Sequence, residues 1–374
     1  MTSVTGKGKL RVGVLFGGVS GEHDVSLCSA ASVVSSLDRD RYDIVAVGID
    51  RDGRWYVQDE PVIVEDRDFG RIMKMVKKGK WLCSHFNQGG RLVMNNCEDG
   101  AAVDVDVVFP VVHGTNCEDG TLQGLLELSG VPYVGADVTG SSVGMDKDIT
   151  KKLLRDAGIP VVPWITLTRE DLENYSDTFT ERTVDELGET LFVKPVCAGS
   201  SVGVNRVCSA GELYPALKDS FRYDNRVLVE KAVDAREIEC AVIGNFTPEA
   251  SVTGEVIPSH EFYSYEAKYI DPEGAKLEIP ANIPDNISES IRDTAVRAFG
   301  ILNCRGMARV DFFLERNGSD FYLNEINTLP GFTSISMYPK LWEHTGVKYG
   351  QLLDRLISLA MEYHAQRSAI KTEL

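Results

Sequence analysis

The sequence predicts a mixed α/β and α+β chain that opens with a doubly wound parallel sheet. Three stretches carry this expectation. Leu10 to Phe16 is a short apolar run leading into Gly17-Gly18-Val19-Ser20-Gly21-Glu22, then a helical pattern with Leu27, Ala30, Ala31 and Val34 facing inward. Strand, glycine loop, helix is the opening of a doubly wound unit. Val105 to Val112 is apolar almost throughout, as a strand buried on both faces must be. Near the end, Ala308, Val310, Phe312 and Leu314 alternate with Arg309 and Asp311, and Phe321 to Asn327 reads as a second strand. Between them Asn317-Gly318 is a strong hairpin signal.

The 374 residues, 43% hydrophobic, suffice for two or three cores. No long apolar stretch follows the opening Met-Thr-Ser-Val, and none reaches the roughly 18 residues of a membrane span, so a cytoplasmic protein is expected. A net charge of −17 disfavours broad contact with nucleic acid or anionic lipid. The Lys74 to Lys80 run reads as a solvated helix end. The eight cysteines, Cys28, Cys83, Cys97, Cys117, Cys197, Cys208, Cys240 and Cys304, form no Cys-x-x-Cys pair and read as reduced thiols.

Taken in order, Tyr42 to Ile49 and Arg54 to Val57 are strands, and about 60–100 reads as an irregular insertion. The strand at Val105 to Val112 ends at His113-Gly114, and Thr121 to Leu128 is a helix. His113 stands where a strand meets a loop, the usual place for a site residue in such sheets, although a lone histidine can equally be structural. Glu22, at the tip of the first loop, can meet a substrate amine or cap the helix behind it. Asp146 to Ala157 is an amphipathic helix, and Val161 to Leu167 and Leu191 to Pro195 are strands. Lys194 precedes Gly199-Ser200-Ser201-Val202-Gly203, and Val202 to Val207 returns as a strand. That glycine-serine turn offers amides and hydroxyls to phosphates. It lies in a hairpin, unlike a P-loop, and the first glycine loop lacks dinucleotide-fingerprint spacing. Strands follow at Arg226 to Val233, Arg236 to Ile243 and Val252 to Pro258. Glu261 to Tyr269 reads as a surface loop able to act as a lid. Helices at Ile287 to Leu302 and Val347 to His364 complete the chain, the last with Leu352, Leu356 and Leu359 inward.

The terminal hairpin carries the chemistry. Alternation places Arg309 and Asp311 on one face of the first strand, and Glu325 and Asn327 on one face of the second. Two carboxylates and an amide oxygen are hard donors that suit Mg²⁺ also held by substrate phosphates. Arg309 supplies a fixed positive charge for an oxyanion or a transferring phosphoryl group.

Together these pieces resemble the D-alanine–D-alanine ligase family of ATP-grasp enzymes. The likeness rests on Gly17-Gly18 with Glu22-His23-Asp24-Val25-Ser26, His113-Gly114 with Glu118-Asp119-Gly120-Thr121, Met145-Asp146-Lys147, and Lys194-Pro195 with Gly199-Ser200-Ser201. It continues through Glu230-Lys231, Glu266-Ala267-Lys268-Tyr269, Arg309-Val310-Asp311, Glu325-Ile326-Asn327 and Thr328-Leu329-Pro330-Gly331 to Ser336. The resemblance implies a three-domain ATP-grasp architecture: residues 1–140 as the substrate domain, 141–235 as the central ATP-grasp subdomain, and 236–374 as the C-terminal subdomain with lid and metal site. It implies that ATP phosphorylates one D-alanine and that the amine of a second attacks the acylphosphate. Lys147, Lys194 and, from the lid, Lys268 would bind ATP phosphates under Ser200 and Ser201. Glu230, Lys231, Val233 and Glu237 would hold adenine and ribose. Asp311, Glu325 and Asn327 would ligate two Mg²⁺, with Mn²⁺ as a substitute. Glu22 would take the first ammonium, with His113 near its carboxylate. Arg309 and the Gly331 amide would face the oxyanion, and Ser336 with Met337 the second carboxylate. Glu22, Ser200 and Tyr269 would join lid to floor, and Tyr269 goes with an amine nucleophile. A homodimer through the first domain is implied. The same fold joining D-alanine to D-serine or D-lactate is the alternative, and a non-enzymatic nucleotide-binding regulator would require damage to Arg309 or the metal ligands, which are all present. Cys117, Ala232 and Met337 stand where the family more usually carries glycine, an aromatic and leucine.

Overall fold

A computed structural model describes residues 8–77, 82–85, 93–96, 102–258 and 274–371. The expected lid, with Lys268 and Tyr269, lies outside the described residues.

The first sheet has the order β3-β2-β1-β9, built from β1 (Leu10–Gly17), β2 (Tyr42–Ile49), β3 (Trp55–Val57) and β9 (Val107–Pro110). β1 runs parallel to both β2 and β9, whereas β3 is an antiparallel edge. Val12, Val14, Leu15 and Phe16 are wholly buried, because helices cover both faces of the parallel part. Helix α1 (His23–Ser36) packs Leu27, Ala30, Ala31 and Val34 inward as expected. The Ser26 hydroxyl receives Gly17 N–H at 2.7 Å and donates to the Val111 carbonyl at 2.5 Å. It ties the carboxyl ends of β1 and β9 together, where ligands gather in such sheets.

Within the stretch read as an irregular insertion, the described residues instead form short antiparallel pairs. β4 (Ile63–Asp66) pairs with β5 (Gly70–Met73), and β6 (Leu82–His85) with β7 (Val93–Asn96), which also meets β8 (Ala102–Val103). Strands of four residues leave too little alternation to detect in sequence. Of the expected helix end at Lys74 to Lys80, the described residues 74–77 follow β5 without helical structure, and Lys77 lies 3.7 Å from the Asp50 carboxylate.

Helix α2 (Thr121–Ser129) is followed by α3 (Val138–Met145) and α4 (Lys147–Asp156). The second sheet has the order β10-β13-β11-β12, from β10 (Trp164–Thr168), β11 (Leu191–Pro195), β12 (Asn205–Val207) and β13 (Arg226–Lys231). Its pairs are all antiparallel. Helices α5 (Arg169–Glu173), α6 (Asp177–Leu187) and α7 (Leu213–Ser220) accompany it. It closes its own core around Leu167, Leu191, Val193, Leu217, Phe221 and Val229.

The third sheet, β16-β15-β14-β17-β18, is antiparallel: β14 (Ala235–Gly244), β15 (Glu249–Pro258), β16 (Ala275–Glu278), β17 (Gly306–Glu315) and β18 (Phe321–Asn327). Helix α8 (Asp285–Ile301) covers one face, burying Ile291, Ala295, Ala298 and Phe299 with Val310 and Phe312. The other face does not end in a separate core. Ala241, Ile243 and Met307 join Val12, Phe16 and Phe109 of the first sheet in one cluster. It is filled by α9 (Met337–His344), with Trp342, and by α10 (Tyr349–Ser368), with Leu352, Leu353, Leu356 and Ile357.

Leu356 is fully buried in that shared core. Leu356→Ala is expected to lower stability by about 2–5 kcal/mol, measured by urea unfolding. A loss below about 1 kcal/mol would show that α10 does not seal the two sheets.

Candidate active site

The last hairpin presents four polar side chains as a block. In the β17–β18 register Arg309 lies opposite Asn327 and Asp311 opposite Glu325. Phe312 then pairs with Leu323, so Asn324 is an extra residue on β18. Such bulges re-aim side chains beside functional sites. Arg309 Nε and Nη2 donate to the two oxygens of Asp311 at 2.8 and 2.7 Å. The guanidinium also lies 2.9 Å from Glu239, which lies opposite Asp311 on the neighbouring strand β14. Burial acts to lower the Arg309 pKa, but Asp311 and Glu239 carry it well above its ordinary value. The group is therefore charged at every working pH. Asn327 Nδ2 donates to Asp311 Oδ2 at 3.0 Å.

Lys147, the first residue of α4, reaches from the helix to this block. Its ammonium donates to the Ala198 carbonyl at 2.7 Å and lies 3.6 Å from Glu325. A crevice of about 30 Å³ runs between them, lined by Glu118, Lys147, Ala198, Gly199, Glu325 and Asn327. Ser200 and Ser201 take left-handed backbone angles, φ 51° and 60°, in the turn between β11 and β12. That conformation is costly for residues with a Cβ and persists only where surroundings enforce it. Lys194, on β11 below the turn, lies 2.6 Å from Glu230.

The turn meets the first sheet at Glu22. Glu22 occupies the position before α1, yet its side chain makes no capping bond. Its carboxylate accepts from the Ser200 hydroxyl instead. Space around the other oxygen depends on Gly114, whose φ is 77° and whose Cβ, if present, would come within 2.8 Å of Glu22 Oε2. Any L-residue there is both strained and obstructive.

His113 is buried behind this point. Its Nδ1 faces two acceptors, the Leu329 carbonyl at 3.2 Å and Glu118 Oε1 at 3.5 Å, so that nitrogen carries hydrogen; Nε2 meets the Ser29 hydroxyl at 3.3 Å. Burial alone would push the imidazole down, but Glu118 and Glu22 hold it above its ordinary value. Glu118 is itself raised, chiefly by burial. The Ser29 hydroxyl also receives Phe332 N–H at 3.3 Å, tying α1 to the Thr328–Ser336 loop. In that loop Ser336 Oγ lies 2.7 Å from Thr333 Oγ1, and a Cβ on Gly331 would come within 2.8 Å of it. The Met337 side chain is buried in the shared core.

Two models of this kind of ligase match the chain: the D-ala D-ala ligase N-terminus over residues 11–136 and the D-ala D-ala ligase C-terminus over residues 153–358. The chain belongs to the D-alanine–D-alanine ligase family. A D-alanine–D-alanine ligase from Shouchella clausii is 45% identical over 366 residues, covering 98% of each chain. The solved D-alanine-D-alanine ligase of Coxiella burnetii superposes with a TM-score of 0.81 at 39% identity, over 96% of this chain and 97% of that one. The D-Ala:D-Ser ligase VanG of Enterococcus faecalis gives 0.80 at 34%, over 94% and 99%. The architecture is thus that of these ligases.

In this family member the structure brings Ser200 to Glu22, Lys147 to Glu325, and Arg309 and Asn327 to Asp311, with His113 against Glu118 and Lys194 against Glu230. Other expected residues stand differently. Lys231 is exposed, Val233 and Glu237 are half-buried beyond the end of β13, and the Glu230 carboxylate is enclosed by Lys151 and Lys194. Arg309, expected as a cation facing substrate, is also committed to two carboxylates of its own sheet. Sequence reading gave no role to Ser29, Glu118, Lys151 or Glu239. Glu118 lay within a quoted motif and Glu239 alternates in phase with Glu237, which is a usable signal; Ser29 and Lys151 carry none. Among the described residues no three His, Cys, Asp or Glu side chains converge to hold a metal. The donor set is instead two opposed carboxylates and an amide, the hard-oxygen chemistry that suits Mg²⁺ shared with phosphates. The residues fit that ion. Thiol chemistry is muted: burial pushes Cys117 up to about 12 and Cys197 to about 11.

Arg309→Lys keeps the charge and loses the planar fork. It is expected to lower kcat by about 10²–10³-fold with little change in KM for nucleotide; wild-type kcat would remove Arg309 from the chemistry. Glu118→Gln is expected to bring the His113 pKa down, followed by imidazole NMR shifts against pH, because burial then acts against less opposing charge. The sign is definite. A histidine raised on folding stabilises below its ordinary pKa, and that contribution fades as pH rises through the folded value. In the variant it fades at lower pH, and an unmoved titration would refute the pairing.

Proposed function

We propose that this chain joins two D-alanine molecules to D-alanyl-D-alanine, with ATP converted to ADP and phosphate through a D-alanyl phosphate, for peptidoglycan precursors. The single observation that supports this most is whole-length similarity to D-alanine–D-alanine ligases combined with the Arg309, Asp311, Glu325, Asn327 block. Glu22 receives the ammonium of the first D-alanine in the space left by Gly114, and His113 lies near its carboxylate. Lys147, Lys194 and the Ser200–Ser201 turn take the ATP phosphates, joined by Lys268, while Lys231, Val233 and Glu237 hold adenine and ribose with the backbone at Glu230. Arg309 and the Gly331 amide face the oxygen that gains charge when the second amine attacks, the placement that accelerates acyl transfer. Ser336 and the Met337 backbone bind the second carboxylate, and Tyr269 joins Glu22 and Ser200 under the lid. Asp311, Glu325 and Asn327 would hold two Mg²⁺, or Mn²⁺ in their place. Such ions neutralise phosphate charge between two anionic reactants.

The division at residues 1–140, 141–235 and 236–374 follows from the same reading, as do a homodimer through the first part and a cytoplasmic location. Among the described residues no helix is long and apolar enough to cross a membrane. D-serine in the second site is a second reading, favoured by the likeness to VanG and by the difficulty of rejecting an added hydroxyl.

The test is phosphate release from ATP and Mg²⁺ with D-alanine alone, then with D-serine or D-lactate added. Release with D-alanine alone, with dipeptide formed, is the expected result. Release only with a second compound would reassign the second site, and none under any condition would end the ligase reading.

A further inference from the structure

We propose that Lys151 is a positioning residue for the nucleotide: it occupies one oxygen of Glu230 so that Lys194, on the other, stays placed for a phosphate with one positive charge in excess. The inference rests on the ATP-dependent reading above. Lys151 Nζ lies 3.0 Å from Glu230 Oε1, while Lys194 Nζ lies 2.6 Å from Glu230 Oε2. The Lys151 ammonium also donates to the Val162 carbonyl at 3.0 Å and sits 5.4 Å from the Trp164 ring centre. Side-chain exposure separates the roles: 1% for Lys151, 3% for Glu230 and 11% for Lys194. Lys151 is sealed and cannot touch a ligand, so any effect must pass through Glu230.

Charge balance is the second argument. A single lysine and Glu230 would form a neutral pair, which is cheaper to bury than two cations around one anion. Burial pushes the Lys151 ammonium below its ordinary value against the pull of Glu230. The excess cation is thus unfavourable for the empty fold and favourable for a polyanion. With Lys151 present, Glu230 is shared and holds Lys194 less strongly; without it, Lys194 collapses onto the whole carboxylate and the excess charge vanishes.

Lys151→Met tests this, with steady-state kinetics and thermal unfolding on the same preparation. The variant is expected to unfold at the wild-type temperature or above it. Its KM for ATP is expected to rise about tenfold, while KM for D-alanine stays within about twofold. In a Glu230→Gln background the same substitution should change KM for ATP by less than about twofold, because the route through Glu230 is gone. An unmoved KM for ATP overturns the proposal. So does a lower unfolding temperature with both KM values rising together, or failure to fold, since either marks a purely structural lysine. Wild-type enzyme measured alongside separates the two readings: no ATP-dependent turnover there removes the nucleotide reading itself, whereas normal turnover with an unmoved KM removes only the role of Lys151.

Discussion

The site depends on the register of one pair of strands. Arg309, Asp311, Glu325 and Asn327 share a face only because Asp311 lies opposite Glu325. A slip of one residue would turn all of β18 over and send Ile326 and Leu323 outward. The buried alternate face prevents this: Val310, Phe312, Leu323 and Ile326 pack in a single cluster with α8. Apolar packing on one side of the sheet therefore sets the geometry of charge on the other. The two carboxylates of Asp311 and Glu239 are tolerated there because the Arg309 guanidinium is set between them. Removing Arg309 would leave two buried carboxylates facing each other without compensation.

The second constraint is how separately packed parts meet. The β10–β13 sheet has a core of its own, and its glycine-serine turn reaches its neighbours through polar contacts. Ser200 bonds Glu22, and the Ala198 carbonyl accepts from Lys147. Arg226 pairs with Asp146, the residue that caps α4. Hydrogen bonds of this type contribute modestly and are readily exchanged with water or ligand. A turn proposed to cover phosphates needs that property, since it must release product as well as grip substrate.

Most of this organisation was legible in the sequence because it is local. β1, β2, β11 and β18 follow from apolar runs and alternation, and the Asn317-Gly318 turn joins β17 and β18 as its chemistry requires. Helix α3 was not legible: its residues include Gly140 and Gly144 with Ser141 and Ser142, weak helix formers, and it is started by Asp137 accepting Gly140 N–H at 2.9 Å. Lys151 was hidden for a different reason. On a helical wheel it resembles Lys152, yet Lys152 is solvated and Lys151 is enclosed by a carboxylate from a strand 79 positions away. Pairing over such distances leaves no trace in local composition. Ser29 owes its contacts to tertiary packing in the same way.

The core shared by the first and third sheets has a consequence for how the chain is made. The strand Leu10–Gly17 and helix His23–Ser36 are made well before α10, which packs against that helix and closes the same cluster. Arg41 and Tyr42 bond Asp354, and Glu127 pairs with Arg367. That strand and helix therefore keep an apolar face exposed while the intervening residues are made, until α10 arrives to cover it. Such surfaces are where nascent chains associate wrongly, so synthesis of this protein leans on whatever shields that face in the interval.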